Sequence, residues 1–572
     1  MKDFIRSFFA SLLAIVVLVV VIIGVIAVKE HEKPKIKSGS YLVVDVYGEI
    51  LPYNPPDDLM AELFGGAPET LQRILGNLEK AAVDDHIEGV IIKVSSSNSL
   101  GYASIEEIRS RIHDIRNTGK RVFAYADALD RKGLFLASAC DSIFMPRTAE
   151  LYFAGIGGTR SYIRGTLDKL GIEPNLHKID EYKSAAEMVL RKDMSPETRE
   201  MINWIYDDLW NVQIETLAEE RGIAREKLVE LMDYALFIAH EAMDAGLIDA
   251  VRYWDQIEEA LKDEDDDKLQ TVSQSTYAKI EPGSLGLKGK KKIAIVHAHG
   301  TIGGRESRVD PLLGIMMGHA SLSRELRRVR DDDDISAVVF RVASPGGEAL
   351  ASDLISREIE LLAETKPVVV SMIDVAASGG YSIAYRATRI VADPTTITGS
   401  IGSISGKFNM TGLYNKLGIT FDFASKGPNG FMWNPYRNFT PEQRKRFEEN
   451  HWQGFNLWLE DIAEKRGIEV EALKKLAMGR VWTGRQALDN GLIDEVGGLD
   501  RAIELAKELA EVPAEDGVTL LHYPKKKGVM ELLSGGGGGP QAAMRWVLYR
   551  FIRHDLAQSL ETLSRVSAVP TP

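Results

Sequence analysis

Four blocks of this chain occur twice, in the same order, about 250 residues apart. SYLVVDVYGEI returns as KKIAIVHAHGTI, pairing Gly48 with Gly300. DDHIEGVIIKV returns as DDDDISAVVFRV, pairing Val94 with Val342. LDKLGI returns as LYNKLGI, pairing Gly171 with Gly418, and AGLIDAV returns as NGLIDEV, pairing Gly246 with Gly491. Chance accounts for one such match, but poorly for four in register. The chain reads as a tandem duplication of one domain, not as a short-period solenoid.

Within each copy, short apolar runs alternate with segments of helical period. Residues 41–47 alternate and end at Gly48; Leu71, Ile74, Leu75, Leu78 and Ala81 share a helix face; a buried strand ends at Val94; a helix covers 105–115 and a strand 121–125. Strands alternating with helices predict an α/β domain with a mostly parallel sheet. The predicted division is 1–38 for a membrane anchor, 39–262 for the first α/β domain, 263–290 for a linker, 291–525 for the second domain and 526–572 for a C-terminal extension. The linker is inferred from the charge cluster KDEDDDK and the polar, Gly/Pro-containing run after it.

The two ends differ from the repeats. Residues 8–28 are 21 residues with one serine and no charge. As a helix they would span about 30 Å, the thickness of a bilayer core. This apolar run is longer than a signal-peptide core and lacks a clear A-x-A site, so an uncleaved anchor is expected. Lysines flank it on both sides, so the charge rule does not settle its orientation. At the other end, SGGGGGP is a flexible linker and AMRWVLYRFIRHDLAQSLETLSRV a basic amphipathic helix, suited to packing on protein or to a membrane surface. The net charge of −14 argues against nucleic acid as the main partner. A single cysteine, Cys140, excludes an internal disulfide and a cysteine-rich metal site.

The repeat also exposes what each copy lacks. In the second, the apolar run from Val370 breaks at AASGG, placing Ser378 between small residues at the mouth of a predicted helix. A serine there is open to act as a nucleophile, with backbone N–H groups near enough to receive an oxyanion. Read alone, it is more simply a tight turn with a cap serine. The second copy also has RVASPGGEALASD, whose Gly346-Gly347 turn offers backbone donors for an oxyanion hole. The first copy has neither: Ser378 falls opposite about Asp130, and the glycine turn falls opposite KVSSSNSLGYAS. It has instead EYKSAAEM, with Lys183, where the second copy reads SKGPNGFMW. Complementary loss from a duplicated site predicts that Ser378 and Lys183 meet between the two domains. Such a lysine must be neutral to accept the serine proton. Its ordinary value near 10.4 must therefore fall by desolvation, at roughly 4–5 kcal/mol of differential interaction. Glu181 and Glu187 flank Lys183, and pairing with either would oppose this.

At these residues the chain resembles the signal peptide peptidase A (protease IV) family in its long, duplicated form. The resemblance runs from about Tyr41 to Ala510 through EYKSAAE, RVASPGGEALASD, VAASGGYSIA, TITGSIGS and NGLIDEVGGLDRAI. It implies a membrane-anchored serine protease of the crotonase/ClpP-like fold that cuts cleaved signal peptides and other apolar peptides. It places the nucleophile at Ser378, the general base at Lys183, a supporting hydroxyl at Ser400 and oxyanion donors at Gly346, Gly347 and Gly379. It further implies a tetrameric, bowl-shaped assembly, a single-pass anchor in the inner membrane and catalytic domains facing the periplasm. Two positions depart from the family pattern: Ala343 stands where Asn is frequent, and Met188 where Pro is common.

No metal or cofactor is expected, and neither the H-E-x-x-H nor the Walker pattern occurs. Two other readings stay open on the residues. One is a Ser-His-Asp hydrolase with His297 or His299 as base, although Ser378 lacks the G-x-S-x-G elbow. The other is an inactive membrane-tethered scaffold that binds partners through its C-terminal helix.

Overall fold

The structure is a computed structural model that describes residues 34–53, 68–310 and 314–525. The expected anchor at 8–28 and the C-terminal amphipathic helix lie outside the described residues. Among the described residues no helix is long and apolar enough to cross a membrane.

Each copy of the repeat builds six parallel strands in the same order; in the first they make the whole sheet and in the second they are part of an eight-stranded one. In the first the order is Ala250–Val251, Ser142–Met145, Arg121–Ala126, Ile87–Asn98, Ser40–Gly48, Thr271–Ser273. In the second it is Glu495–Val496, Arg389–Ala392, Val368–Ala377, Ile335–Ser344, Lys291–His299, Val518–Tyr523. The β-branched runs in these strands suit a sheet covered on both faces. In the second sheet, Ile293, Ile295, Val339 and Val369 point into the core shared with the first half. Their neighbours Ala294, Val296, Val338, Phe340, Val368 and Val370 point into the second half's own core. The chain is therefore a duplicated α/β protein whose hydrophobic core runs on from one half into the other.

Smaller ladders repeat too. Glu150–Phe153 lies between Ala128–Asp130, parallel, and Ala235–Ile238, antiparallel. Ile397–Gly399 lies in the same way between Val375–Ala377 and Val481–Thr483. The helices Arg164–Leu170 and Thr411–Lys416 are entered through residues of matching conformation, Ile163 (φ −107°, ψ 8°) and Met410 (φ −98°, ψ 4°).

Two expectations change. The polar stretch 263–290 is not a bare linker. Thr271–Ser273 forms the outer strand of the first sheet against Tyr41–Val43, and the Tyr277 hydroxyl donates to buried Asp84 at 3.0 Å. An edge strand with only Val272 turned inward carries too little apolar pattern to be seen in sequence. The helix expected after AASGG is only the four residues Gly379–Ser382, followed by turns.

Polar contacts join the halves as well. Buried Arg341 of the second sheet forms a two-pronged ion pair with Glu107 in the first-half helix Tyr102–Asn117. Asp374, on the strand that leads to Ser378, caps the same helix. It accepts from the Ser104 N–H at 2.9 Å and the Ser104 hydroxyl at 2.5 Å. The strand Glu173–Lys178 of the first half pairs antiparallel with Ile404–Asn409 of the second, from Ile404 opposite Lys178 to Asn409 opposite Glu173.

Candidate active site

The pairing of Glu173–Lys178 with the second half aims the chain that follows it. Ile179 donates its N–H to the Ser403 carbonyl at 2.8 Å, and Tyr182 donates to the Met478 carbonyl at 3.0 Å. Lys183 is then pressed against second-half backbone. A Cβ on Gly479 would stand 2.4 Å from the Lys183 nitrogen, so only glycine permits this approach. Around the stem, Tyr182 stacks with Trp204 and Trp204 with Trp482, while the Arg480 guanidinium lies 3.9 Å from the Tyr182 ring centre.

The lysine that results is 6% exposed. Its Nζ lies 2.9 Å from Ser378 Oγ, 3.0 Å from Ser400 Oγ and 2.8 Å from the Ser400 carbonyl oxygen. These three partners match the three donors of an ammonium. Burial lowers its pKa to about 8. Neither flanking glutamate reaches it: Glu187 accepts the Ser195 N–H at 3.4 Å and stands 4.0 Å from Lys178 Nζ. The carbonyl of Glu181 is taken by Lys178. A lysine held among hydroxyls with no carboxylate is half-way to being a free base at mildly alkaline pH.

Ser378 sits at φ +57°, ψ −117°, a conformation that costs a non-glycine residue of order 1–3 kcal/mol. Its N–H donates to the Gly399 carbonyl at 2.8 Å, which fixes the turn. Ser400 is also in the left-handed region, at φ +52°. Strain of this kind, paired across a contact, fits two side chains turned out of their strands toward one point.

The Gly346-Gly347 turn lies directly against the nucleophile turn. A Cβ on Gly346 would meet Gly379 N at 2.6 Å, and one on Gly379 would meet Gly347 N at 3.0 Å. The Gly346 N–H itself donates to Ser344 Oγ at 3.2 Å, and that hydroxyl donates to the Gly300 carbonyl at 2.7 Å. Gly346 therefore shapes the loop at φ +104°, while the nearby N–H groups of Gly347 and Gly379 have no acceptor among the described bonds. Ser344, Gly479 and the Met478 carbonyl were not singled out from sequence. The glycine and serine signals were present, but nothing in the chain order tells which distant backbone they approach.

The histidines lie elsewhere. His297 Nε2 and His522 Nδ1 are 3.0 Å apart, and His297 stacks on Tyr53 at 4.0 Å. Burial holds the pKa of both imidazoles below the usual range, to about 4 for His522. Among the described residues, no hydrogen bond links a histidine to Ser378.

The same ladders identify the vacated positions of the first half. Tyr152 pairs with Leu236 and Gly399 with Val481, two residues that the AGLID and NGLID blocks make equivalent. Asp130, opposite Tyr152, thus matches Ala377, opposite Gly399. Ser378 then corresponds to Arg131, one residue on from the expected Asp130, and Ser400 to the fully buried Phe153. Arg131 donates to the Ala154 carbonyl at 3.0 Å and to the Tyr102 hydroxyl at 3.2 Å. Counted from the matched helices, Lys183 corresponds to Gly430.

Compared with known proteins, residues 114–268 and 360–513 match the profile of peptidase family S49. The chloroplastic serine protease SPPA of Arabidopsis thaliana is 36% identical over 513 residues, covering 88% of this chain and 74% of that protein. Protease 4 of Haemophilus influenzae is 31% identical over 449 residues, covering 76% of this chain and 72% of that protein. A putative signal peptide peptidase SppA of Enterococcus faecium is 31% identical over 191 residues, covering 33% of this chain and 56% of that protein. Among solved structures, a mutant of the 1510-N membrane-bound stomatin-specific protease superposes with a TM-score of 0.26 at 14% identity, covering 41% of this chain and 99% of that one.

Proposed function

The chain belongs to peptidase family S49 and is a serine peptidase, and from that premise we propose an endopeptidase that works through a Ser378–Lys183 dyad. The observation that carries this reading is the 2.9 Å contact between Lys183 Nζ and Ser378 Oγ, made by a buried lysine with no carboxylate beside it. In the proposed reaction Ser378 Oγ adds to the peptide carbonyl carbon as its proton passes to neutral Lys183. The anion on the carbonyl oxygen is received by the N–H groups of Gly347 and Gly379. Collapse breaks the C–N bond, and Lys183 returns its proton to the leaving amine. Water then adds to the acyl-serine, giving a proton to Lys183, and the acid departs as Ser378 recovers its hydrogen. Ser400 orients the lysine through its hydroxyl and carbonyl oxygen.

In this reading residues 39–262 supply the base and 291–525 the nucleophile, in two domains of the crotonase/ClpP-like type that the resemblance implies. Substrates are cleaved signal peptides and other apolar peptides. Support comes from the apolar segment 8–28, which would hold the enzyme beside such products. A single-pass anchor, a periplasmic face and a tetramer of copies belong to the same proposal.

The deciding experiment measures cleavage of a denatured apolar polypeptide by the wild type, Ser378→Ala and Lys183→Ala. Each reaction is run beside labelling with a fluorophosphonate probe. Activity and labelling in the wild type, both lost in Ser378→Ala, with cleavage also lost in Lys183→Ala, is the expected result. Full activity in Lys183→Ala would sink the dyad, and an unlabelled, inactive wild type would sink the enzyme reading of this site.

A further inference from the structure

Lys183 is held from the second half by one short run of chain, residues 478–482. The Tyr182 N–H donates to the Met478 carbonyl at 3.0 Å, the Gly479 N–H to the Ile401 carbonyl at 2.8 Å, and the Ser400 N–H to the Arg480 carbonyl at 2.5 Å. The backbone of this run therefore touches both the residue before the lysine and the turn that carries Ser400. The Arg480 side chain returns to the same place. Its guanidinium lies 3.9 Å from the Tyr182 ring centre and 4.8 Å from that of Trp204, and Trp204 Nε1 donates to the Val481 carbonyl at 3.4 Å. Arg480 Nε is buried with no hydrogen-bond partner among the described residues. A buried N–H without an acceptor is unfavourable, and the two ring faces beside the cation offset that cost. Tyr182 and Lys183 are each 6% exposed, whereas Arg480, Trp204 and Trp482 are half-buried.

The repeat shows that this packing is not a demand of the fold. The paired strands make Val481 equivalent to Leu236, so Arg480 corresponds to Ala235 and Gly479 to Tyr234. The 26-residue helices Pro196–Arg221 and Pro441–Arg466 match end to end, so Trp204 corresponds to Glu449. Tyr182, next to Lys183, corresponds to Asn429, next to Gly430. The arginine and both rings beside it are missing from the copies of these segments that serve no lysine.

We propose that Arg480 is a positioning residue for the reaction: its guanidinium, lying over Tyr182 and Trp204, closes the packing outside the lysine segment and keeps water from the Lys183 stem. It touches no substrate and acts only through Lys183. The role rests on the dyad proposed above. Water reaching the stem would favour the ammonium, so the lysine would hold its proton to higher pH. The other charged groups around the segment are engaged elsewhere. Glu200 accepts from the Tyr182 hydroxyl at 3.1 Å, Arg160 donates to the Ser184 hydroxyl at 3.1 Å, and Asp208 accepts from Arg485 at 3.0 Å. Glu187 accepts the Ser195 N–H, and Lys178 takes the Glu181 carbonyl.

The test is the pH dependence of kcat/KM on a short ester, followed from about pH 6 to 10 on the full-length chain in detergent. In the wild type the acid limb is expected near 8. In Arg480→Ala it should move up by about one unit. That lowers kcat/KM about tenfold at pH 7 with KM little changed, and activity should return close to the wild-type level by about pH 10. A guanidinium keeps its charge throughout this range, so the movement cannot be its own titration. A merely structural arginine gives the same loss at every pH with the limb still near 8; that result, or an unchanged rate at pH 7, overturns the proposal. Should Arg480→Ala fail to fold, Tyr182 decides. Tyr182→Leu removes the ring and should move the limb up, whereas Tyr182→Phe keeps the ring and should leave the limb near 8. Limbs that move together, or not at all, overturn the proposal. A wild type with no limb, or a fully active Lys183→Ala, rejects the dyad and this role with it. A wild-type limb near 8 that Arg480→Ala leaves in place rejects this role alone.

Discussion

The two halves share six strands in one order, yet they treat the end of their third strand oppositely. In the second half the chain leaves Val368–Ala377 through Ser378 at φ +57°, packed under a glycine turn. In the first half Arg131 takes the serine's place as the first residue of a helix, and Asp130, the counterpart of Ala377, is an extended cap at φ −109° whose carboxylate accepts from Gly133 N at 2.7 Å. One copy keeps a strained serine and the other has relaxed to a capped helix with an arginine. The difference teaches that the fold does not need the strain. It persists where a side chain must be turned toward a partner outside its own sheet. The first half kept its lysine on the same terms, buried at a joint where burial is unfavourable for the charged form.

The sharpest way to break this contrast is to remove its two ends. Ser378→Ala and Lys183→Ala should each lower peptide hydrolysis by on the order of 10⁴-fold or more, with the circular dichroism spectrum unchanged. Next comes the loop the first half lacks. A Cβ on Gly347 would stand 1.9 Å from the Ile302 carbonyl oxygen, so Gly347→Ala must move the loop. The expected loss is about 10²–10³ in kcat with KM little changed, the pattern of a lost oxyanion donor. Steady-state kinetics on a short ester checks it.

The pH profile comes third. In the proposed dyad Lys183 acts as base when neutral, and its pKa is lowered to about 8. From pH 6 to 7, kcat/KM should rise about tenfold and then level above about 8. A profile flat across this range would exclude lysine as the base.

Stability gives a fourth test with the opposite sign. The folded-state pKa of Lys183 lies below its unfolded value, so the unfolded chain binds the proton more tightly. The cost is fully present below about 8 and fades as pH rises toward the unfolded value near 10.5. A shift of this size corresponds to about 3 kcal/mol, partly offset by the hydrogen bonds the ammonium makes. Lys183→Met should therefore be inactive yet more stable by about 1–2 kcal/mol at pH 7, with the gain shrinking at pH 10 in urea unfolding. The smallest effect is expected from restoring the missing residue. Arg131→Ser in a Ser378→Ala background should stay unlabelled and inactive, because that position lacks the positive-φ turn and the counterpart of Lys183 is Gly430. It should cost about 1 kcal/mol for the contacts to Tyr102 and Ala154.

Much of this was legible in the order of residues. The repeat blocks predicted two parallel sheets, and β-branched runs such as VVVSMI located their centres. The absence of AASGG from one copy and of EYKSA from the other pointed to one site shared between them. The departures have a common cause. Thr271–Ser273 escaped notice because an edge strand buries one face of few residues. Ser344 escaped because its value lies in the Gly300 carbonyl it meets, 44 residues earlier in the chain. Gly346 was assigned as a donor on its motif, but a hydroxyl two residues before it takes its N–H.

By itself, then, the sequence determined the duplication, the α/β class and the pair of residues, Ser378 and Lys183, that the structure brings into contact. Those follow from local periodicity and from comparison of the chain with itself. Only the tertiary structure decided which backbone groups are free, what surrounds the lysine and how close it comes to the serine. A hydrogen bond of 2.9 Å between residues 195 positions apart depends on the packing of every strand between them. Burial, which lowers the lysine pKa, belongs to the joint between the halves, and neither half has it alone.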